Sequence, residues 1–291
     1  MNALRVGLLQ YEVQRIAGFE SWTARLDALV TEAKQAGAQL LAMPEYACVE
    51  LAGAFVQAPD VRHELEAVCA RADDILAAMR AVARRHAVWL QPGSLPMRAA
   101  GRIRNRAPLI APDGGVAFQD KRVMTRFEAE SWGVQPGDDP CVFETPFGRI
   151  GVAICYDVEF PALVRAQVEA GAWLVLVPSC TDTLHGFNRV RLAARARAIE
   201  NQCFLAIAPT VGEAPFLATL DANRGYAAVY GPVDRGFPED GVLARGPLDR
   251  PGWIFCDLDP ASLEAVRADG AVRNHRDWPP APSSCRTVRP T

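Results

Sequence analysis

The sequence contains no long apolar run, no excess of basic charge and no secretory signal. Its longest apolar stretches, such as Ala172–Val177, are far shorter than the roughly 20 residues that cross a bilayer. A formal net charge of −3 offers no basic surface for nucleic acid. The segment Met1–Gln10 lacks the charged start, apolar run and cleavage site of a secretory signal. We therefore expect a soluble, cytoplasmic protein with no nucleic-acid or membrane partner.

The eight cysteines of the chain lie far apart and form no C-x-x-C pair, so a structural zinc site has little support. Their spacing also differs from the dense disulfide framework of small secreted domains. We expect most of them to be reduced and buried, where cysteine behaves as a small hydrophobic residue. The open question is whether one cysteine has a chemical role.

Strand-like and helix-like patterns alternate along the chain. Apolar runs predict strands, and apolar residues at helical spacing predict helices at Phe19–Gln35 and Asp73–His86. Two strands, Arg106–Ile110 and Val116–Gln119, flank a Pro-Asp-Gly-Gly sequence that is typical of a hairpin turn. Strand–helix–strand units favour an α/β architecture with helices on one face of each sheet. We find no repeat and no linker, so residues 1–291 are predicted to form one domain, with an irregular tail over about 276–291.

Three reactive side chains follow strand-like runs. Glu45 follows Leu40–Pro44, Lys121 follows Val116–Asp120, and Cys155 ends the run that begins at Ile150. Reactive groups often stand at strand ends, where a rigid sheet directs them into a pocket built by loops. These three residues are therefore the candidates for catalysis.

Together, a thiol, a carboxylate and an ammonium group could perform acyl transfer. The carboxylate can take the thiol proton, which generates the thiolate nucleophile. The ammonium group can stabilise the oxyanion that forms when the thiolate attacks an amide or nitrile carbon. The carboxylate can then protonate the departing ammonia and activate water. Each residue alone has an ordinary structural interpretation, and spacing does not show that the three converge.

Three segments, read in order, resemble the signature blocks of the nitrilase, or carbon–nitrogen hydrolase, superfamily. They are Leu41-Ala42-Met43-Pro44-Glu45, Asp120-Lys121-Arg122 and Gly151-Val152-Ala153-Ile154-Cys155-Tyr156-Asp157. Similarity continues in later segments and covers about residues 5–259. The resemblance implies a four-layer α-β-β-α sandwich whose protomers pair as a homodimer or assemble further, with neither metal nor organic cofactor.

The resemblance also implies residue roles. Glu45 would be the general base, Lys121 the oxyanion stabiliser and Cys155 the nucleophile, while the backbone N–H of Tyr156 would be a second oxyanion donor in contact with substrate. Many family members carry a second glutamate after the lysine. Glu130 fits the family pattern better than Glu128, because Trp132 and a Pro-Gly turn follow it. We therefore predict that Glu130 holds Lys121 and helps to position the substrate.

Several alternatives remain open at the level of sequence. A Cys–His hydrolase of another fold would need one of only four histidines to activate Cys155. A non-catalytic assembly protein of the same fold would have no chemical reason to retain all three reactive residues. Within the enzyme class, an amidase is favoured over a nitrilase or an N-carbamoyl hydrolase, since amidases form the larger part of the superfamily. The predicted substrate is a small amide, or alternatively a nitrile.

Overall fold

The computed structural model describes residues 3–280, where strands and helices alternate as the sequence predicts. The strands in this range are β1 (Leu4–Glu12), β2 (Leu40–Ala42), β3 (Trp89–Gln91), β4 (Leu95–Ala99), β5 (Arg102–Ile110), β6 (Val116–Asp120), β7 (Val142–Thr145), β8 (Gly148–Val152), β9 (Ala172–Ser179), β10 (Phe204–Glu213), β11 (Ala222–Asn223), β12 (Ala228–Tyr230), β13 (Val242–Arg245) and β14 (Gly252–Leu258). The α-helices are α1 (Phe19–Gln35), α2 (Val61–Cys69), α3 (Ala72–His86), α4 (Pro161–Glu169), α5 (Leu184–Asn201) and α6 (Pro260–Asp269).

All of these strands join one hydrogen-bonded sheet that curls into two halves. One half contains β1 to β6 and β14, and the other contains β7 to β13. The halves are connected where Tyr11 and Glu12 of β1 run parallel to Thr210 and Val211 of β10. Strands β1, β2 and β3 are parallel, as are β8, β9 and β10, so each half has a set of carboxyl ends that carry loops.

Alternating side chains show that the two halves face each other. Leu40 and Ala42 of β2 share a core with Val152 of β8, whereas Leu41 points the other way. On that outer side Leu41 packs in a second core that includes Val30 of α1. Because successive strand residues alternate in direction, one face of β2 lies between the half-sheets and the other lies under helices. This arrangement confirms the predicted four-layer α-β-β-α sandwich.

The predicted helix at Phe19–Gln35 is confirmed with the same bounds, and the hairpin of β5 and β6 is also present. The structure also contains helix α2 and strands β4, β7 and β11, where the sequence predicted no helix or strand. It also ends β8 at Val152, so Cys155 is not the last residue of a strand. Cys155 has a φ of 48°, which a strand residue cannot adopt, and it begins a 3-10 turn that runs to Glu159.

No helix within residues 3–280 is long and apolar enough to cross a membrane. Of the tail predicted to be irregular, residues 276–280 contain neither helix nor strand. The rest of that tail lies outside the described residues.

Candidate active site

The structure brings Glu45, Lys121 and Cys155 together at one end of the sandwich. Each follows the end of a strand, namely β2, β6 and β8, and each is at most 4% exposed. The Lys121 Nζ donates a hydrogen bond to Glu45 Oε1 at 2.8 Å. Cys155 lies next to this pair, because the N–H of Cys180 donates to Glu45 Oε2 at 3.1 Å while the Cys155 thiol donates to the carbonyl oxygen of Cys180 at 3.7 Å. The convergence that sequence spacing left open is therefore present in the fold.

The backbone of Glu45 is held by a close approach to the loop after β3. Gly93 has a φ of +87°, and a Cβ built there would lie 1.9 Å from the carbonyl oxygen of Pro44. Only glycine permits both the conformation and the contact. The N–H of Tyr46 then donates to the carbonyl of Ser94 at 3.1 Å. The carboxylate is thus carried on a segment that has little freedom to move.

Lys121 is fixed in a similar way by a second glycine. The N–H of Gly137 donates to the carbonyl of Lys121 at 2.8 Å, and a Cβ at Gly137 would lie 2.1 Å from the Cβ of Asp120. The N–H of Lys121 donates to the carbonyl of Asn105 at 2.8 Å. Two backbone hydrogen bonds therefore fix the main chain of Lys121, from which its side chain extends into the site.

Cys155 occupies a strained left-handed conformation, which costs on the order of 1 kcal/mol for a residue with a side chain. Its sulfur accepts a hydrogen bond from Ser179 Oγ at 3.6 Å and lies 3.7 Å from the carbonyl oxygen of Cys180. The turn that it begins places the backbone N–H of Tyr156 next to the nucleophile. The ring of Tyr156 is half-buried and packs edge-on against Phe160, with 4.9 Å between the ring centroids.

The second glutamate beside Lys121 is Glu128, and the prediction that Glu130 holds the lysine is wrong. Lys121 Nζ donates to Glu128 Oε2 at 2.6 Å, and Glu128 is 2% exposed. The Glu130 side chain is 59% exposed and pairs with Arg126 instead. Both glutamates belong to a short π-helical turn, Glu128–Trp132. Residues two positions apart on a helical turn project to roughly opposite sides, so only one of them can face the site.

Three further side chains complete the site, and the sequence analysis missed all of them. Asn105 Nδ2 donates to Glu45 Oε1 at 2.8 Å and to Glu128 Oε1 at 3.3 Å. Tyr46 donates its hydroxyl proton to Glu128 Oε1 at 3.0 Å, while Thr125 donates to Oε2 through its N–H and its hydroxyl, each at 2.9 Å. The one feature of the sequence that could have indicated Asn105 is that it is an uncharged polar residue between two arginines on β5.

Burial and charge pairing set the protonation states. Burial raises the pKa of Glu45 and Glu128 raises it further, while Lys121 opposes them. Burial works to lower the pKa of Lys121, yet the two glutamates hold it well above its usual range. Burial and Glu45 together raise the pKa of the Cys155 thiol well above its usual range. The resting site therefore holds a neutral thiol and a charged lysine, next to a carboxyl group poised to accept a proton.

Burial also opposes the charged form of Glu128, but Lys121 and the hydrogen bonds from Thr125 keep its pKa below the ordinary value. The two glutamates therefore differ in their readiness to take up a proton. Glu128 is the permanent counter-charge of the lysine, and Glu45 is the group that can exchange a proton with Cys155.

Among residues 3–280, the hydrogen-bond partners of the Cys155 sulfur are Ser179 and the carbonyl of Cys180, so none is a histidine. His86 pairs with Asp27 at 2.9 Å on the other half of the sandwich. Within residues 3–280, no group of three or more His, Cys, Asp or Glu side chains is arranged to hold a metal ion.

An α-β-β-α sandwich with a buried Glu, Lys and Cys cluster at its strand ends defines the nitrilase class of fold and site. Residues 5–266 match the profile of the family described as carbon-nitrogen hydrolase. The chain belongs to this family.

Its curated relatives include enzymes that act on carbon–nitrogen bonds. The chain is 30% identical over 274 residues to "Probable hydrolase YhcX" of Bacillus subtilis (strain 168), with 94% of this chain and 53% of the relative covered. It is 28% identical to the omega-amidase NIT2 of Bos taurus, with 92% of each chain covered. It is also 30% identical to the deaminated glutathione amidase of Yersinia enterocolitica, over 73% of this chain and 75% of the relative. The chain thus spans about half the length of the Bacillus hydrolase.

Solved structures share the fold. A mutant of the amidase from Nesterenkonia sp. AN1, showing the result of Michael addition of acrylamide at its active site cysteine, has a TM-score of 0.69 at 28% identity. That comparison covers 94% of this chain and 99% of the amidase. The NitFhit protein of C. elegans gives a TM-score of 0.76 at 22% identity, over 92% of this chain and 63% of that chain. The second comparison supports the fold alone.

Proposed function

We propose that this protein is an amidase that hydrolyses a small non-peptide amide through a thioester on Cys155. The observation that carries the proposal is the ion pair of 2.8 Å between Lys121 and Glu45 in a buried site beside the Cys155 thiol. Relatives named omega-amidase and deaminated glutathione amidase support an amide as substrate. The non-catalytic alternative would require this costly buried charge cluster to exist without a chemical use.

In the proposed first half-reaction, Glu45 removes the thiol proton while the sulfur of Cys155 attacks the amide carbon. The carbonyl oxygen becomes an oxyanion that accepts hydrogen bonds from the Lys121 ammonium group and the Tyr156 N–H. Preorganised donors of this kind typically contribute about 3–4 kcal/mol each to transition-state stabilisation. The carbon–nitrogen bond then breaks, and Glu45 returns its proton to the nitrogen, which leaves as ammonia.

In the second half-reaction, Glu45 removes a proton from water, and the resulting hydroxide attacks the thioester carbon. The carbon–sulfur bond breaks, a carboxylic acid leaves, and the thiol of Cys155 is restored with the proton held by Glu45. Lys121 and Tyr156 would stabilise the second oxyanion as they did the first. Glu128 has the role predicted for the second glutamate, because it keeps Lys121 charged and fixed.

The test is ammonia release from a panel of small amides, ω-amides, N-carbamoyl compounds and nitriles, measured for the wild type and for Cys155→Ala. A matched control is Cys203→Ala, which changes another buried cysteine, whose thiol donates to the carbonyl of Arg197. We expect activity in the wild type and in the control and none in Cys155→Ala. Intact mass measured shortly after mixing should show an acyl adduct on Cys155.

The outcome also separates the alternatives. Turnover that persists in Cys155→Ala would contradict the proposal. Turnover of nitriles without turnover of amides would replace the amidase by a nitrilase, since a nitrile passes through a thioimidate before the thioester. Turnover confined to N-carbamoyl compounds would assign a carbamoyl hydrolase.

We also propose one carbon–nitrogen hydrolase domain for residues 1–291, because the sheet pairs its first strand, β1, with its last, β14. The homodimer or larger homo-oligomer and the cytoplasmic location stay predictions of the sequence analysis.

A further inference from the structure

Asn105 closes a ring of hydrogen bonds that joins the charged groups of the site. Its Nδ2 donates to Oε1 of Glu45 and to Oε1 of Glu128, and Lys121 Nζ bridges the same two carboxylates from another side. The side chain is completely buried. Since carboxylates only accept hydrogen bonds, the amide must present its nitrogen to them. Asn105 is therefore a neutral donor shared by both glutamates.

The two oxygens of Glu45 have different partners. Oε1 accepts from Lys121 and Asn105, each at 2.8 Å, while Oε2 accepts from the N–H of Cys180 at 3.1 Å. The carbonyl oxygen of Cys180 lies 3.7 Å from the sulfur of Cys155. Oε2 is consequently the oxygen on the nucleophile's side. Two donors on Oε1 keep the carboxylate from rotating and leave Oε2 for the thiol proton.

We propose that Asn105 is a positioning residue that fixes Glu45 and favours its charged form, so that Oε2 can act as the base toward Cys155. This inference rests on the proposed function, in which Glu45 exchanges protons with Cys155. It adds a residue that the family resemblance did not supply.

A purely structural role would not explain the arrangement at this position. Asn105 Oδ1 has no hydrogen-bond partner among residues 3–280, although the atom is buried. An unsatisfied buried acceptor is unfavourable, and an apolar side chain of the same shape would avoid it. The Nδ2 donor to two carboxylates is the feature that only the amide provides here.

The protonation of Glu45 depends on every group that faces it. These groups are the ammonium of Lys121, the carboxylate of Glu128, the thiols of Cys155 and Cys180, and the hydroxyl of Tyr46. Removal of the Asn105 donor leaves all of them in place. A lost hydrogen bond to the charged form raises the pKa of Glu45, so a higher pH is needed before Glu45 can accept the thiol proton.

The test is the pH dependence of iodoacetamide alkylation at Cys155, followed by peptide mass in the wild type, Glu45→Gln and Asn105→Leu. Leucine matches asparagine in shape and cannot donate. We expect the acid midpoint of alkylation to move up by about one pH unit in Asn105→Leu. At a pH below the midpoints of both proteins, the variant should then be alkylated about tenfold more slowly than the wild type. Asn201→Leu is the matched control, because it removes another fully buried amide, whose Nδ2 donates to the Arg197 carbonyl and whose Oδ1 accepts from Arg165. Its midpoint should equal that of the wild type.

The outcomes separate the inference from the proposed function. If the wild type has an acid midpoint that Glu45→Gln abolishes, while Asn105→Leu leaves it unchanged, the inference is overturned and the function stands. If Glu45→Gln leaves the wild-type profile intact, Glu45 is not the base and the proposed mechanism fails. If Asn105→Leu does not fold, the same alkylation profile is measured for Asn105→Ser, because serine can donate one hydrogen bond where the asparagine amide donates two. A smaller upward shift supports the inference, and an unchanged midpoint overturns it.

Discussion

Replacement of Lys121 by methionine should destabilise the protein in a pH-dependent way. Methionine has a similar length and fits an apolar site, but it carries no charge. The change would leave Glu45 and Glu128 buried without the ammonium group that lies 2.8 Å and 2.6 Å from them. Breaking a buried ion pair by removal of one partner costs about 3–5 kcal/mol in free energy of unfolding.

The pH dependence follows from the two carboxyl groups. Without Lys121, burial raises the folded-state pKa of Glu45 and Glu128 above the unfolded value near 4.5. A group with a raised folded-state pKa loses stability as the pH rises from the unfolded value to the folded one. Each such carboxyl contributes a slope of about 1.4 kcal/mol per pH unit over that window. The cost should therefore be small near pH 4.5 and fully developed at pH 8.

Urea or thermal unfolding of wild type and Lys121→Met at pH 5 and pH 8 would measure the effect. For a chain of this length that unfolds in one transition, 3–5 kcal/mol lowers Tm by about 5–8 °C. Arg126→Met is the control, because its ion pair with Glu130 is exposed to solvent and should matter little. Equal destabilisation of Lys121→Met at both pH values would refute the account in terms of buried charge.

Three other measurements test the site. Glu128→Gln should lower kcat on the order of 100-fold because Lys121 loses its permanent partner, whereas Glu130→Gln should leave kcat unchanged; equal effects in steady-state assays would contradict the assignment. A profile of kcat/KM against pH should rise as Glu45 loses its proton, at a pH above the ordinary carboxyl value, and should show no fall from Lys121 below about pH 9. Gly137→Ala should reduce both Tm and kcat, because its Cβ would displace Asp120 from beside the lysine; a crystal structure with an unmoved backbone would argue against this.

The sequence predicted much of the fold because local patterns carried it. Helix α1 has the predicted bounds, since Trp22, Leu26, Val30 and Ala33 lie on one buried face at helical spacing. The hairpin of β5 and β6 followed from its turn residues. Helix α2 was missed although Asp60 caps it by accepting the N–H of His63, because we did not recognise a helical pattern in this nine-residue segment.

The choice between Glu128 and Glu130 shows where the sequence was insufficient. The two residues stand two positions apart on one turn, and a family pattern aligned on Trp132 favoured the wrong one. Which of them faces the site depends on the rotation of the π-helical turn. That rotation is set by packing, including the contact of Trp132 with the ring of Tyr46 at 5.7 Å between centroids.

The sequence by itself determined the residue types and their order: a glutamate, a lysine and a cysteine after three apolar strands of an alternating α/β chain. These follow from local periodicity and from the chemistry of the side chains. Only the tertiary structure decided that Glu45, Lys121 and Cys155 meet, that Glu128 joins them, and that Asn105 bridges the carboxylates. The hydrogen bonds that Glu45 accepts from Asn105 and Lys121 join residues 60 and 76 positions apart. Their distances depend on how the strands and loops of the sheet pack, which no local pattern encodes.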